Sequence, residues 1–148
     1  MANFTVKEIS SAGAGEILGL DCSKPLDAET RTELQQAMLD YPVTVIRNQN
    51  LTPKEQAAFS RQLGPLEPQD RTTYCDPEEP DILILSNEVR PDGSAVGIVD
   101  AGDFWHSDSS HHEEPCRSTL LYAVRNPLRA AIPNSAICIR STTPCPTM

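Results

Sequence analysis

Short apolar or alternating stretches recur along the first 123 residues, and they predict strands. Residues 4–9 alternate apolar and polar side chains, and residues 16–20 do the same after a glycine-containing turn. Residues 43–46 (VTVI) and 82–85 (ILIL) are runs typical of short buried strands, and residues 120–123 form the last stretch of this kind. We therefore expect strands in these five segments.

Two segments have the signals of helices. Asp27 is suited to cap a helix over residues 27–40, in which the apolar positions recur at helical spacing. A Thr-Pro-Lys-Glu sequence at residues 52–55 starts the second helix, because the Thr can cap it, the Pro fits its first turn and the Glu can close a capping box. A Gly-Pro pair at 64–65 ends this helix, so we expect it over residues 52–63.

Polar stretches separate the later elements. Residues 66–80 predict a loop, and residues 88–103 are rich in Gly and Asp and predict a hairpin or loop. The acidic cluster of Asp76, Glu78, Glu79 and Asp81 is typical of a solvated loop rather than of a cation site.

Composition narrows the class of protein and its partners. A chain of 148 residues fits one domain, and a net charge of −9 without a basic stripe argues against nucleic acid and anionic membranes as partners. The N-terminus lacks the apolar core of a signal peptide, and no apolar run is long enough to span a membrane. The odd number of cysteines, without a Cys-x-x-Cys pair, predicts reduced thiols and a cytoplasmic location; the five are Cys22, Cys75, Cys116, Cys138 and Cys145.

His106 and Asp108 are the candidate metal ligands. We expect the two side by side on a strand end, where residues two apart point to the same face, so that this imidazole and carboxylate can bind one ion from one side. With a distant second His, the pair would make the 2-His-1-carboxylate triad of non-haem iron oxygenases. Otherwise the two are an exposed polar strand end. No His follows His112 in the chain, so His112 is the substitute candidate for the second His. On a continuous strand it would lie roughly 13 Å beyond Asp108, so it can share an ion with His106 and Asp108 only if the chain bends back.

Residues 4–123 also resemble a known family, in the order and spacing of eight stretches. The stretches are Leu18–Asp21, Ser23–Leu26, Val43–Gln49, Leu51–Pro53, Phe59–Leu66, Trp105–Ser110, Pro115 and Leu120–Ala123. They resemble the taurine dioxygenase family of Fe(II)/2-oxoglutarate dioxygenases, which includes the 2,4-dichlorophenoxyacetate dioxygenase. The resemblance implies an α+β fold, the double-stranded β-helix (jelly roll) with flanking helices, here truncated to its N-terminal half.

The resemblance also implies a function. It makes His106 and Asp108 ligands of Fe(II), with 2-oxoglutarate as cosubstrate and O2 as oxidant. The expected reaction hydroxylates a small organic acid of the sulfonate or carboxylate class and releases succinate and CO2. The family's second His ligand and its 2-oxoglutarate-binding Arg have no counterpart in this chain, so cosubstrate-binding residues stay unassigned. The alternative is a catalytically inactive truncated fragment that is at most a weak binder of divalent metal.

Three further side chains have expected positions in such a fold. Trp105 is expected to pack in the core, with substrate contact as the alternative. Asn87, at the end of the predicted strand over 82–85, is a weak candidate for substrate binding at the mouth of the site, although loop polarity explains it equally well. The family usually has an aromatic residue where His111 stands, so His111 is expected to face the pocket.

The sequence changes character after Ala123. The segment from Val124 contains four prolines and two of the five cysteines but no acidic residue, whereas all 21 acidic residues precede it. The family has Gly-Gly-Asp-Thr where this chain has Arg129–Pro133, and a shifted reading of the codons can restore that tetrapeptide. We therefore predict a frameshift near Val124. It divides the chain into a family domain over residues 1–123 and an irregular, non-family tail over 124–148.

Overall fold

The computed structural model describes residues 3–69, 72–99, 101, 104–110 and 112–125. Contacts divide the chain into two units, the first containing the segment up to Asp21 and Leu26–Gln49, the second Cys22–Pro25 and Asn50–Ala123. The regular elements in chain order are β1 (Thr5–Ser10), β2 (Ala14–Leu18), α1 (Ala28–Asp40), β3 (Val43–Ile46), α2 (Pro53–Leu63) and a 3-10 helix (Thr72–Tyr74).

The first unit is built on a three-stranded mixed sheet in the order β1-β2-β3. The strands β1 and β2 form an antiparallel hairpin, in which Thr5 pairs with Leu18, and β3 runs parallel to β2. The predicted strands over 4–9, 16–20 and 43–46 are therefore confirmed, although β3 is half-buried rather than buried. Gly15 leaves room for Tyr41, since a Cβ at Gly15 would lie 2.7 Å from the ring atom Cγ of Tyr41.

Helix α1 begins at the predicted cap. The carboxylate of Asp27 accepts from the backbone N–H of Thr30 at 2.7 Å and from the Thr30 hydroxyl at 2.9 Å. These hydrogen bonds, the backbone one foremost, lower the pKa of Asp27 because they favour its charged form. The predicted apolar face is confirmed: Leu34 and Ala37 are buried and belong with Ile17 to the core of this unit.

In the second unit, α2 has the predicted capping box. The Glu55 carboxylate accepts from the backbone N–H of Thr52 at 2.8 Å, and the Thr52 side chain accepts from the Glu55 N–H at 3.3 Å. Ala57 and Phe59 are the buried residues of this helix. Both termini of α2 thus follow from local signals.

Two predicted strands of the second unit are wrong. Residues 82–85 form only isolated bridges, Cys75 with Leu83 and Leu85 with Ile98, and Leu85 is exposed. Residues 120–123 form no strand, and Leu121 is also exposed. A strand requires a partner along its whole length, and the described neighbours supply only single pairs.

The Gly- and Asp-rich stretch after residue 88 does form a turn, as predicted. Val89 bridges Ala95, and the backbone N–H of Arg90 donates to the carbonyl of Ser94 at 2.8 Å. Asp92 accepts from the Ser94 hydroxyl at 2.7 Å, which is the main cause of its lowered pKa.

The remaining predictions have mixed outcomes. The mixed α and β composition agrees with the predicted α+β class, while the double-stranded β-helix stays a prediction. Beyond residue 125 the predicted irregular tail lies outside the described residues. Neither described helix has the length and apolar character that a membrane span requires. Among the described residues, the sulfurs of Cys22, Cys75 and Cys116 are not joined in disulfide bonds.

Candidate metal centre

His106 and Asp108 lie in the second unit, but not on a strand. Residues 105–107 have no regular structure, and residues 108–110 form a turn. The prediction that the pair lies on a strand end is therefore wrong. The two side chains are nevertheless close: His106 Nε2 is 3.1 Å from Asp108 Oδ1.

This separation fits two ligands of one metal ion. Two neighbouring ligands about 2.1 Å from an octahedral ion lie about 3 Å apart. The side chains of His106 and Asp108 are 44% and 45% exposed, so an ion in solution can reach the pair.

The contact of the other ring nitrogen, Nδ1, indicates which nitrogen of His106 can bind a metal ion. Nδ1 lies 2.8 Å from the carbonyl oxygen of Phe104, and because a carbonyl only accepts, Nδ1 carries the proton. In the neutral ring Nε2 then has a lone pair that faces the Asp108 carboxylate. A histidine that ligates a metal usually donates its other N–H in this manner.

Asp108 is fixed by a residue that the sequence did not indicate. The hydroxyl of Thr119 donates to Asp108 Oδ2 at 2.6 Å, so that Oδ1 alone faces His106. The Cys116 sulfur lies 3.8 Å from the Thr119 hydroxyl oxygen and 3.9 Å from the Asp108 carbonyl oxygen. Nothing in the sequence signals these contacts, since they depend on how the chain returns after the turn.

His112 does not join the pair in the described part of the chain. The chain does bend back, because the N–H of His112 donates to the carbonyl of Ser109 at 3.0 Å. However, His112 Nδ1 lies 2.5 Å from Glu67 Oε1, and the Ser109 hydroxyl donates to Glu67 Oε2 at 2.5 Å. Among the described residues no group of three or more His, Cys, Asp or Glu side chains is arranged to hold a metal ion.

The other predicted side chains have varied positions. Trp105 is 61% exposed, so its predicted place in the core is wrong. Asn87 is exposed just after the Leu85–Ile98 bridge, and its predicted contact with substrate stays a prediction. His111 lies outside the described residues.

The acidic cluster is paired rather than freely solvated. Arg61 of α2 donates to Glu79 at 2.7 Å and also contacts Asp81, while Asp76 accepts from the backbone N–H of Glu78 at 2.9 Å. The contact with Glu79 is the first cause of the raised pKa of Arg61. The carboxylates of Asp76, Glu79 and Asp81 thus have partners, and among the described residues no acidic cluster is arranged to hold a metal ion.

Known proteins of one family are similar to this chain in sequence. The family model of the taurine catabolism dioxygenase TauD, TfdA family, matches residues 5–130. The (S)-phenoxypropionate/alpha-ketoglutarate-dioxygenase of Sphingobium herbicidovorans is 35% identical over 95 residues, which are 58% of this chain and 29% of that protein. The alpha-ketoglutarate-dependent 2,4-dichlorophenoxyacetate dioxygenase of Cupriavidus pinatubonensis is 30% identical over 121 residues, 75% of this chain and 42% of that protein.

Among solved structures, a taurine dioxygenase from Burkholderia xenovorans is 30% identical with a TM-score of 0.45, over 52% of this chain and 27% of that one. AAD-2 in complex with Mn(II) and N-oxalylglycine is 31% identical with a TM-score of 0.42, over 43% of this chain and 25% of that one. The chain thus spans well under half the length of these relatives. The family match ends at residue 130, and the predicted division near Val124 stays a prediction. With 126 consecutive positions matched by one family model, the chain belongs to the TauD/TfdA family.

Proposed function

We propose that this chain supplies the His-x-Asp part of an Fe(II)/2-oxoglutarate-dependent dioxygenase. The observation that carries the proposal is the convergence of His106 Nε2 and Asp108 Oδ1, 3.1 Å apart, within a chain of this family. Two relatives are named for phenoxypropionate and for 2,4-dichlorophenoxyacetate, which are both small carboxylic acids. This supports a small organic acid, of the carboxylate or sulfonate class, as the substrate.

His106 and Asp108 would hold the iron. When bound, Fe(II) supplies activation of O2 at the expense of 2-oxoglutarate, which leaves as succinate and CO2 while the organic acid is hydroxylated. The chain's own groups keep the ligand atoms available: the Phe104 carbonyl holds the proton on Nδ1 of His106, and Thr119 holds one oxygen of Asp108. Asn87 is the proposed substrate contact of this chain.

A second candidate function is weak binding of divalent metal without catalysis. It is favoured by one observation: in the part of the chain that the structure describes, His112 is engaged by Glu67 and no third ligand joins the pair. Two protein ligands give an open site of low affinity, and a cosubstrate then lacks a fixed orientation.

Two measurements on the 148-residue chain separate these candidates. The first is succinate release from 2-oxoglutarate with Fe(II), O2 and a panel of small carboxylates and sulfonates. The second is Mn(II) binding by titration calorimetry, with His106→Ala, Asp108→Ala and, as the matched control, His112→Ala.

The outcomes differ for each candidate. Succinate release that disappears in His106→Ala supports the dioxygenase. Mn(II) binding that is lost in His106→Ala and Asp108→Ala but kept in His112→Ala, without succinate release, supports the second candidate. A loss of Mn(II) binding in His112→Ala as large as in the other two variants would identify His112 as a ligand. Absence of Mn(II) binding by the unaltered chain would overturn both candidate functions.

A further inference from the structure

The two oxygens of Asp108 have different partners. Oδ1 faces His106 Nε2 at 3.1 Å, whereas Oδ2 accepts from the Thr119 hydroxyl at 2.6 Å. A carboxylate can bind a metal ion through one oxygen or through both. A hydrogen bond to Oδ2 therefore affects whether Asp108 binds a metal ion through one oxygen or through two.

The contact between Thr119 and Asp108 has the character of a strong hydrogen bond. A carboxylate has no proton to give, so the hydroxyl of Thr119 is the donor. Its length of 2.6 Å lies within the range of roughly 2.5–2.7 Å for a hydroxyl donating to an ionised oxygen. The sulfur of Cys116 also lies near this hydroxyl, 3.8 Å from its oxygen.

We propose that Thr119 is a positioning residue of the metal site, acting through Asp108. By holding Oδ2, its hydroxyl makes Asp108 bind a divalent ion through Oδ1 alone and keeps a coordination position open for exogenous ligands. This inference rests on the proposed metal site. Thr119 is distinct from the Thr of the Gly-Gly-Asp-Thr segment, which lies further along in the family.

The test compares Thr119→Val with Thr119→Ser in the full 148-residue chain, with Mn(II) as the probe. Valine removes the donor at nearly constant shape, and serine keeps the donor but removes the methyl group. Outer-sphere partners of metal ligands are worth roughly 10- to 100-fold in affinity. We expect Mn(II) binding about 10- to 100-fold weaker in Thr119→Val and within about 3-fold of the unaltered chain in Thr119→Ser.

A spectroscopic measurement follows the coordination directly. The number of waters on bound Mn(II), counted from the broadening of its paramagnetic resonance lines in ¹⁷O-enriched water, is expected to fall by one in Thr119→Val because the freed Oδ2 takes a position. The serine variant is expected to keep the original number. Far-ultraviolet circular dichroism of each variant checks that the fold is retained.

A double-mutant cycle tests whether Thr119 acts through Asp108. In an Asp108→Ala background, Thr119→Val is expected to have no further effect on residual Mn(II) binding. Equal affinity and equal water number in the unaltered chain and Thr119→Val would overturn the inference. A serine variant as impaired as the valine variant would do the same, since the lost group would then be the methyl.

These results also separate this inference from the proposed function. Thr119-dependent Mn(II) binding without any succinate release would overturn the dioxygenase and leave the role of Thr119 intact. Succinate release by the unaltered chain, together with unchanged Mn(II) binding in Thr119→Val, would overturn the role of Thr119 and leave the dioxygenase intact. No Mn(II) binding by the unaltered chain would overturn both.

Discussion

The carboxylate of Glu67 is expected to hold the turn that follows Asp108 in place. It contacts the Ser109 hydroxyl and His112 Nδ1, both at 2.5 Å, and Ser109 has a φ of 53°, in the left-handed region that non-glycine residues rarely adopt. Replacing Glu67 with Ala removes both contacts at once. The hydrogen bond from the His112 N–H to the Ser109 carbonyl should then open more often.

The size of this effect follows from the exposure of the contacts. A hydrogen bond to a charged group is worth roughly 1.5–3 kcal/mol when buried. The side chains of Glu67 and His112 are 31% and 39% exposed, so solvent screening reduces the pair to about 1–2 kcal/mol in total. This corresponds to about a 5- to 30-fold increase in the population of the opened segment.

Amide hydrogen exchange at His112 is the appropriate assay, because its N–H donates to the Ser109 carbonyl only while the turn is closed. Glu67→Ala should raise this rate about 5- to 30-fold without changing the rates in α1. Glu114→Gln is the matched control, since Glu114 is an exposed acid of the same segment, and it should leave the rate unchanged. An unchanged rate at His112 in Glu67→Ala would refute the reasoning.

Three other predictions concern stability. The pKa of Asp27 is lowered in the folded state, so its charged carboxylate stabilises the fold at pH values above the unfolded pKa of about 3.9. This stabilisation is lost as the pH falls through the folded-state pKa. The difference in Tm between the unaltered chain and Asp27→Asn should therefore shrink between about pH 5 and pH 2. Gly97→Ala should destabilise by about 1–3 kcal/mol in urea unfolding, since its Cβ would lie 2.5 Å from the Ile84 carbonyl oxygen, whereas Gly64→Ala, with open space around it, should have little effect. Arg61→Gln should lower Tm in dilute buffer and less in 1 M salt, because its pairing with Glu79 is partly exposed and screened; a salt-independent loss would contradict this.

The sequence alone determined the elements whose causes are local. The first turns of α1 and α2 are predictable because a cap and the N–H groups it accepts from lie within three residues. The hairpin of β1 and β2 is predictable from alternation on either side of a glycine turn. The sequence also placed His106 and Asp108 near each other, but the contact of 3.1 Å lies in a segment without regular structure and not on the expected strand, so its geometry is set by the fold.

Only the tertiary structure decided what depends on distant partners. The apolar runs at 82–85 and 120–123 have the composition of strands, yet a strand exists only where another segment supplies a ladder of hydrogen bonds. Trp105 is exposed for a related reason, because burial depends on what the rest of the fold places over a side chain. The contact of Thr119 with Asp108 spans 11 residues and that of Ser109 with Glu67 spans 42, so both arise from the path of the backbone rather than from any local pattern.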